Sequence, residues 1–166
     1  MLRPSTDGLR LALQNGLMTA EHVPVSHDVD TATAVPVRAA LHVLIAEPDR
    51  HRQLACAAIL EGAGYRVTGV ADAEAALAET AVEQPDLIIV QLAGPHADGL
   101  DLCRQVRTGD TTRDLPVIAL TTHDDPYIRE QVVRSGGTAI LAEPLKRTAL
   151  LRQVRRLLAR SRPRGL

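Results

Sequence analysis

From residue 41 onwards, short apolar runs alternate with stretches in which apolar residues recur at helical spacing. The apolar runs, typical of strands buried on both faces, lie at 41–46, 65–71, 86–92, 116–122 and 138–142. The stretches of helical spacing lie at 50–63, 72–83, 99–107, 125–135 and 145–160. The pattern therefore predicts five strands that alternate with five helices.

Residues that commonly start or stop helices support these boundaries. Asp72 is a good N-cap, Gly62 and Gly64 end the first helix, and Gly136-Gly137 closes the fourth. The apolar spacing assigns an inward position to these helix residues: Leu54, Ala57, Ala58, Leu60, Ala76, Leu77, Ala81, Leu100, Leu102, Cys103, Val106, Leu150, Leu151, Val154, Leu157 and Leu158.

This alternation indicates an α/β fold. Continuous apolar strands between helices require a parallel sheet that is covered on both faces. With right-handed crossovers, the chain forms a doubly wound five-stranded parallel sheet in a three-layer α/β/α sandwich of the flavodoxin-like kind. A site in such a fold lies where strands end, which selects residues 46–49, 91–93, 121–122 and 142–144.

The two ends of the chain differ from this regular region. Leu9, Leu13 and Leu17 are spaced for a short helix, which is followed by a linker rich in Pro and Thr. Met18 is an alternative start that would remove the helix. We therefore divide the chain into an N-terminal extension (1–40), an α/β domain (41–160) and a basic C-terminal tail (161–166).

The composition weighs against several classes of function. With two Tyr, no Phe and no Trp among 166 residues, the chain has no aromatic platform on which bases could stack. Its net charge of −1 gives no general attraction to nucleic acid or anionic lipid. Cys56 and Cys103 fall in apolar helical patterns and are interpreted as buried residues in a reducing compartment. Without a signal peptide or a membrane-span pattern, we expect a cytoplasmic protein.

The charge of the C-terminal region is one-sided, because no acidic residue follows Glu143. A solvated helix face explains this asymmetry best, and a phosphate-binding or partner-binding tail is the alternative. The basic residues concerned are Lys146, Arg147, Arg152, Arg155, Arg156, Arg160, Arg162 and Arg164.

Between about residues 41 and 159 the chain resembles the receiver domain of bacterial two-component response regulators. The segments "GYRV", "PDLIIV", "DGLDLCRQVR", "DLPVIALTT" and the "EP" before the last helix follow that family in order and spacing. In this family, an aspartate at the end of the third strand accepts a phosphoryl group from a histidine kinase. Acidic residues after the first strand hold Mg²⁺, and a Thr or Ser and a Lys contact the phosphoryl oxygens.

Several of the positions that carry this chemistry are changed here. Gln91 stands at the phosphoacceptor position, and its amide is a poor nucleophile. Glu47 keeps the first acidic position, but Pro48 fills the second and removes a carboxylate ligand for Mg²⁺. Thr121 keeps the hydroxyl, whereas Glu143 replaces the lysine and would repel phosphate. The resemblance therefore indicates a pseudoreceiver, with no metal site and with Mg²⁺ binding disfavoured.

The altered pocket has its own expected contacts. We expect Gln91 to donate to one carboxylate and to accept from Thr121, and Glu47 and Glu143 to share the pocket. Two carboxylates in a small space raise one pKa; Arg50, Arg52 or water would neutralise them and lock one conformation. Asp49 also lies near the pocket, but as the third residue after the strand it is a poor substitute acceptor. The cis peptide often found in this family would fall at Glu143-Pro144.

The leading functional hypothesis is a non-enzymatic adapter in phosphorelay signal transduction. It would bind a kinase, a regulator or an output protein, or form a homodimer, through the face of the fourth helix, fifth strand and fifth helix that receivers commonly use. The sequence does not decide between the active and the inactive receiver conformation. On that face we expect Arg129, Arg134, Arg147, Arg152 and Arg155.

Two alternatives belong to other classes. A nucleic-acid-associated regulator would use the basic C-terminus, but few basic residues are present and no helix-turn-helix is evident. A cobalamin-binding domain shares the architecture, and "DRHRQL" offers Asp49 and His51, but Leu54 stands where that family has glycine. We expect no cofactor, no membrane partner and no ordinary enzyme, because no paired nucleophile and base and no Gly-rich phosphate loop are present.

Overall fold

The computed structural model describes residues 39–92 and 98–161, without the side chain of residue 98. The predicted N-terminal helix and linker, the alternative start at Met18 and the tail beyond residue 161 lie outside the described residues. The proposed domain boundaries therefore stay predictions.

Five parallel strands form one sheet, as the apolar runs predicted. Their order across the sheet is β2-β1-β3-β4-β5. The strands are β1 (His42–Ala46), β2 (Arg66–Val70), β3 (Leu87–Gln91), β4 (Val117–Thr121) and β5 (Ala139–Ala142). The three central strands are buried along their whole length, whereas β2 and β5 form the edges and are partly exposed.

Five helices alternate with these strands. They are α1 (Arg50–Glu61), α2 (Ala73–Val82), α3 (Asp98–Thr108), α4 (Pro126–Arg134) and α5 (Arg147–Arg160). The doubly wound α/β fold is thus confirmed. None of the described helices is both long and apolar enough to cross a membrane.

The core consists of two clusters, one on each side of the sheet. Residues of β1 alternate between them, because successive side chains on a strand point to opposite faces: Ile45 packs with α1 and α5, and Leu44 packs with α2 and α3. Each cluster includes one buried thiol, Cys56 in the first and Cys103 in the second. Both are buried, as predicted. Burial raises the pKa of Cys56 to about 12 and that of Cys103 to about 11, so both thiols are protonated at neutral pH.

Three of the predicted inward positions are wrong. Leu54 is 49% exposed, and Ala58 and Ala81 are also exposed. In α1 the polar Gln53 takes the buried place near the start of the helix, because its amide reaches backbone carbonyls of the sheet. In α2 the buried residue is Thr80, whose hydroxyl donates to the carbonyl of Ala76 one turn earlier. A pattern of apolar residues does not predict the burial of polar side chains that form hydrogen bonds inside the protein.

Aspartates and glycines mark the helix ends much as expected. Asp72 caps α2 through a bond from the amide of Ala75, and Asp125 caps α4 in the same way. Gly64, after α1, has φ +90°, and Gly136, after α4, has φ +84°. This region of φ favours glycine, so these two turns depend on residues without a Cβ.

Arg107, at the end of α3, joins three segments. Its guanidinium donates to the carbonyls of Gly136 (2.8 Å) and Leu115 (2.7 Å), and to the hydroxyl of Thr138 at 3.2 Å. A Cβ at Gly136 would lie 2.5 Å from Cγ of Arg107. The arginine therefore connects α3 with the starts of β4 and β5 and also requires the glycine.

We expect Arg107→Lys to lower the free energy of unfolding by about 1–3 kcal/mol, because an ammonium cannot reach all these acceptors and leaves carbonyls unpaired. Urea unfolding at neutral pH measures the change. The matched control is Arg104→Lys on the same helix, whose side chain is 53% exposed and pairs with Asp101; it should change stability by less than about 0.5 kcal/mol. Equal effects of the two substitutions would contradict this role of Arg107.

Candidate functional site

Four polar side chains meet at the carboxyl-terminal edge of the sheet. Glu47 follows β1, Gln91 ends β3, Thr121 ends β4 and Glu143 follows β5. Because these strands are neighbours in the order β1-β3-β4-β5, the four positions form one row, as the sequence predicted. Glu47, Gln91 and Thr121 are buried, and the Glu143 side chain is 15% exposed.

Arg52, from the first turn of α1, lies between the two glutamates of this row. Its guanidinium is 3.3 Å from Oε1 of Glu47 and 3.5 Å from Oε2 of Glu143. The third contact is longer, 3.9 Å to Oδ2 of Asp49. Of the two arginines considered from the sequence, Arg52 is therefore the one that pairs with the carboxylates, whereas Arg50 donates to Gln53.

Glu47 is the most deeply buried charge at this edge, with 2% of its surface exposed. Burial raises the pKa of its carboxyl above the ordinary value, because the charged form loses its water. The Asp49 amide, which donates to Oε1 at 2.8 Å, and the Arg52 guanidinium partly oppose this effect. Ionisation of Glu47 in this buried position therefore costs free energy, and the Asp49 amide and Arg52 reduce that cost.

Gln53 supports the backbone on which Glu47 stands. Its Nε2 donates to the carbonyls of Glu47 (3.2 Å) and Val70 (2.8 Å). A Cβ on Gly69 of β2 would come within 2.7 Å of Cδ of Gln53, so the glycine makes room for this amide. Sequence reasoning missed Gln53; the available signal was its three-residue spacing from Cys56, which places both on one face of α1.

Gln91 has the donor contact that the sequence predicted. Its Nε2 donates to Oε2 of Glu143 at 3.2 Å. The predicted acceptor contact is wrong: Oε1 of Gln91 is buried without a hydrogen-bond partner. The cis peptide expected at Glu143-Pro144 is present.

Thr121 makes its hydrogen bonds within its own loop. Its hydroxyl donates to the carbonyl of His123 at 3.0 Å and accepts from the amide of the same residue at 3.1 Å. A short turn after β4 thus uses the hydroxyl for both roles, and this explains why Thr121 does not donate to Gln91.

Asp49 and Pro48 contribute no free ligand group to this edge. Asp49 caps α1 and accepts from the amides of His51 (2.9 Å) and Arg52 (3.1 Å). The bond from the Arg52 amide is the main cause of the lowered pKa of its carboxyl. Pro48 is exposed, and its ring offers neither a donor nor a charge. His51 is an exposed first-turn residue of α1, as expected.

Within the described ranges, no group of three His, Cys, Asp or Glu side chains is placed to hold a metal ion. The acidic side chains at this edge are instead joined by one guanidinium. The edge thus has an amide where the third strand ends and, beside it, two carboxylates that share one guanidinium.

The response regulator receiver domain family matches residues 43–155. The chain belongs to this family. The match covers most of the chain and the strand ends described above.

Individual relatives agree with this assignment. The chain is similar to the response regulator MprA of Mycobacterium avium (strain 104), with 33% identity over 124 residues, 74% of this chain and 53% of that protein. It thus spans about half the length of the curated relatives that it matches.

Solved structures show the same fold. A putative response regulator from Chloroflexus aurantiacus J-10-fl has a TM-score of 0.69 and 31% identity, over 72% of this chain and 98% of that one. The receiver domain of sensor histidine kinase PA1611 from Pseudomonas aeruginosa PAO1, with a magnesium ion coordinated in its active site cleft, has a TM-score of 0.67 and 32% identity, over 73% and 99% of the two chains.

The basic residues expected on a partner-binding face are all exposed. Arg129 and Arg134 lie on α4 and form ion pairs with Asp124 (2.5 Å) and Glu130 (2.6 Å). The other three, on α5, are Arg147, Arg152 and Arg155. Exposure is what a binding face requires, and it does not by itself identify a partner.

The raised pKa of Glu47 predicts how stability changes with pH. The folded protein holds the Glu47 proton more tightly than the unfolded chain does. Stability is therefore lost as the pH rises from the ordinary pKa of 4.5 through the raised pKa of the folded state. We therefore expect Glu47→Gln to gain stability relative to the unsubstituted protein as pH rises through this window. A tenfold difference in proton affinity corresponds to about 1.4 kcal/mol, and urea unfolding over a pH series measures it.

Glu83→Gln is the control, for which we expect stability to change with pH in the opposite direction. A hydrogen bond from Arg66 lowers the pKa of Glu83 below its ordinary value of 4.5. The Glu83 carboxylate therefore stabilises the fold at pH values above 4.5, and this stabilisation is lost as the pH falls through the lowered pKa. Glu83→Gln should therefore lose stability relative to the unsubstituted protein as pH rises. If Glu47→Gln followed the same direction as Glu83→Gln, the role of Glu47 given above would be wrong.

Proposed function

We propose that this chain is a pseudoreceiver: a receiver domain of two-component signalling that acts by binding another protein without being phosphorylated. The observation that carries the proposal is Gln91, the buried last residue of β3, with its amide bonded to Glu143. Membership of the receiver family supports the signalling role, and the changed side chains at the strand ends support the loss of phosphorylation.

Gln91 is unsuited to the role of phosphoryl acceptor. An aspartyl phosphate needs a carboxylate oxygen as nucleophile, whereas the amide of Gln91 is neutral and donates a hydrogen bond to Glu143. Asp49 uses its carboxylate to cap α1, and Glu47 is buried against Arg52. Neither of these neighbouring carboxylates is a suitable replacement.

The side chains at this edge are also unsuited to Mg²⁺. This ion prefers octahedral oxygen ligands and usually takes one or two carboxylates together with phosphate. Here Arg52 occupies the space between Glu47 and Glu143, and Pro48 and Gln91 offer no carboxylate. The donor set therefore does not suit the ion, in contrast to the PA1611 receiver domain with its coordinated magnesium.

The charge after the fifth strand is the reverse of the one that would attract phosphate. The resemblance implies a lysine after the fifth strand, which would attract a phosphoryl group. Glu143 carries the opposite charge at this position, and it is held by Arg52 and Gln91. The guanidinium of Arg52 is itself paired with carboxylates and is a poor substitute for the missing cation.

We expect no localised amide shifts at Glu47, Gln91 and Thr121 when the protein is titrated with Mg²⁺ and then beryllofluoride, an analogue of the phosphoryl group. The measurement is backbone amide NMR. The triple variant Pro48→Asp, Gln91→Asp, Glu143→Lys restores two carboxylates and the cation, and should gain shifts that saturate at millimolar Mg²⁺.

Gln91→Asp alone is the matched control for that variant. It creates the acceptor carboxylate without the second acidic position or the lysine, and should bind beryllofluoride far more weakly than the triple variant. Saturable shifts in the unsubstituted protein at millimolar Mg²⁺ would contradict the proposal and would restore a ligand-dependent switch.

The binding surface that we propose is the face of α4, β5 and α5. Besides the five arginines, α4 exposes two apolar side chains: Tyr127 is 66% exposed and Val133 is 73% exposed. Apolar residues bordered by arginine are typical of protein interfaces. A second copy of the chain is the partner that can be tested directly.

We expect Val133→Asp to weaken homodimer formation, because it places a charge in the apolar part of this face. Sedimentation equilibrium over a concentration series measures the association. The matched control is Val82→Asp on α2, at a side chain that is 83% exposed, which should leave association unchanged. A chain that stays monomeric throughout would exclude the homodimer and leave a different protein as the partner.

A further inference from the structure

A pocket of about 560 Å³ opens beside the row of strand-end residues, on the side of the sheet that α1 and α5 cover. Its walls are formed mainly by apolar side chains of α1, β1, β4 and the segment before α5, including Ile45, Cys56, Ile59, Leu120 and Leu145. Neither Gln91 nor Thr121 lines it. Ligand pockets in proteins commonly have this size and this largely apolar surface, with a few polar groups.

The polar end of the pocket carries a net negative charge. Glu47, Glu143 and Arg52 line it, so two carboxylates face one guanidinium. Asp49, 3.9 Å from the guanidinium, adds a further carboxylate nearby. An anionic ligand would have to compete with these carboxylates for Arg52, whereas a cation would gain from the excess of negative charge.

The hydrogen bonds at this end leave acceptor capacity. The Asp49 amide and Arg52 both reach Oε1 of Glu47. Arg52 and Gln91 both reach Oε2 of Glu143. In each carboxylate the donors thus converge on one oxygen, and a primary ammonium, with three N–H donors, could bond to the other.

We propose that this pocket binds a small amphiphile with an aliphatic body and a terminal primary ammonium. The body packs between α1 and the start of α5, and the ammonium lies at Glu47 and Glu143. The pocket has room for an aliphatic body longer than that of a lysine side chain, and this favours a free small molecule over a single inserted lysine. This inference does not rest on the absence of phosphorylation.

The test uses hexylammonium chloride as the probe and backbone amide NMR of the full chain as the readout. We expect saturable shifts at the pocket-lining residues. Sodium hexanoate and hexanol have the same alkyl chain with an anionic and a neutral head, and hexanoate should bind at least about tenfold more weakly, equivalent to about 1.4 kcal/mol. The tripeptide Gly-Lys-Gly should bind more weakly than hexylammonium.

Two alanines of α1 provide matched variants. Ala55 lines the pocket and is exposed, so Ala55→Leu should fill part of the pocket and abolish the shifts. Ala58 is also exposed on α1 but does not line the pocket, so Ala58→Leu should keep them. Glu143→Gln should reduce the preference for hexylammonium over hexanol and does not depend on filling the pocket.

Three results would overturn the proposal. The first is the absence of saturable shifts at the lining residues with hexylammonium. The second is binding of hexanoate or hexanol that equals or exceeds that of hexylammonium, which would remove the role of the carboxylates. The third is tighter binding of Gly-Lys-Gly, which would assign the pocket to a lysine-bearing peptide.

Discussion

Arg52 spans the two carboxylates at the end of the sheet, and the arrangement of this edge depends on that contact. Glu47 is nearly fully buried and the Glu143 side chain is mostly buried, so without a cation between them each carboxylate would raise the free energy of the other. A buried ion pair is not in itself strong evidence for stability, but removal of one partner leaves an unpaired buried charge. The guanidinium suits this place because its planar fork reaches several oxygens at once.

The same contact connects separate parts of the chain. Arg52 belongs to α1, Glu47 follows β1, and Glu143 precedes α5, so one side chain ties a helix start to two strand ends. Gln91 extends the connection to β3. In a receiver with ordinary chemistry, Mg²⁺ and the phosphoryl group would supply positive and negative charge at this edge. Here the chain's own side chains supply both, which is consistent with a single retained conformation.

Much of the fold and of the row of strand-end residues could be predicted from the sequence, because apolar runs and helix caps are local patterns. Buried runs such as residues 86–92 defined the strands, and the parallel order then placed Glu47, Gln91 and Glu143 on one edge. The failures concern side chains with a choice of partners. Thr121 bonds to its own loop, because His123 is closer along the chain than Gln91. Gln53 is buried because its amide donates to the carbonyls of Glu47 and Val70; its spacing from Cys56 indicates the inward face of α1 but not these partners.

Each side of the sheet includes one buried cysteine, Cys56 with α1 and α5 and Cys103 with α2 and α3. A thiol reacts as the thiolate and only where reagent can reach it. In the folded protein burial raises the pKa of both thiols, and Cys103 is fully buried, so modification of Cys103 must wait until the layer of α2 and α3 opens. Cys56 is nearly fully buried but lines the pocket beside α1, so its modification depends on the pocket as well as on the opening of its layer. The two cysteines therefore act as separate internal reporters: Cys103 reports the separation of its helical layer from the sheet, whereas the rate at which Cys56 reacts also reports whether the pocket is filled.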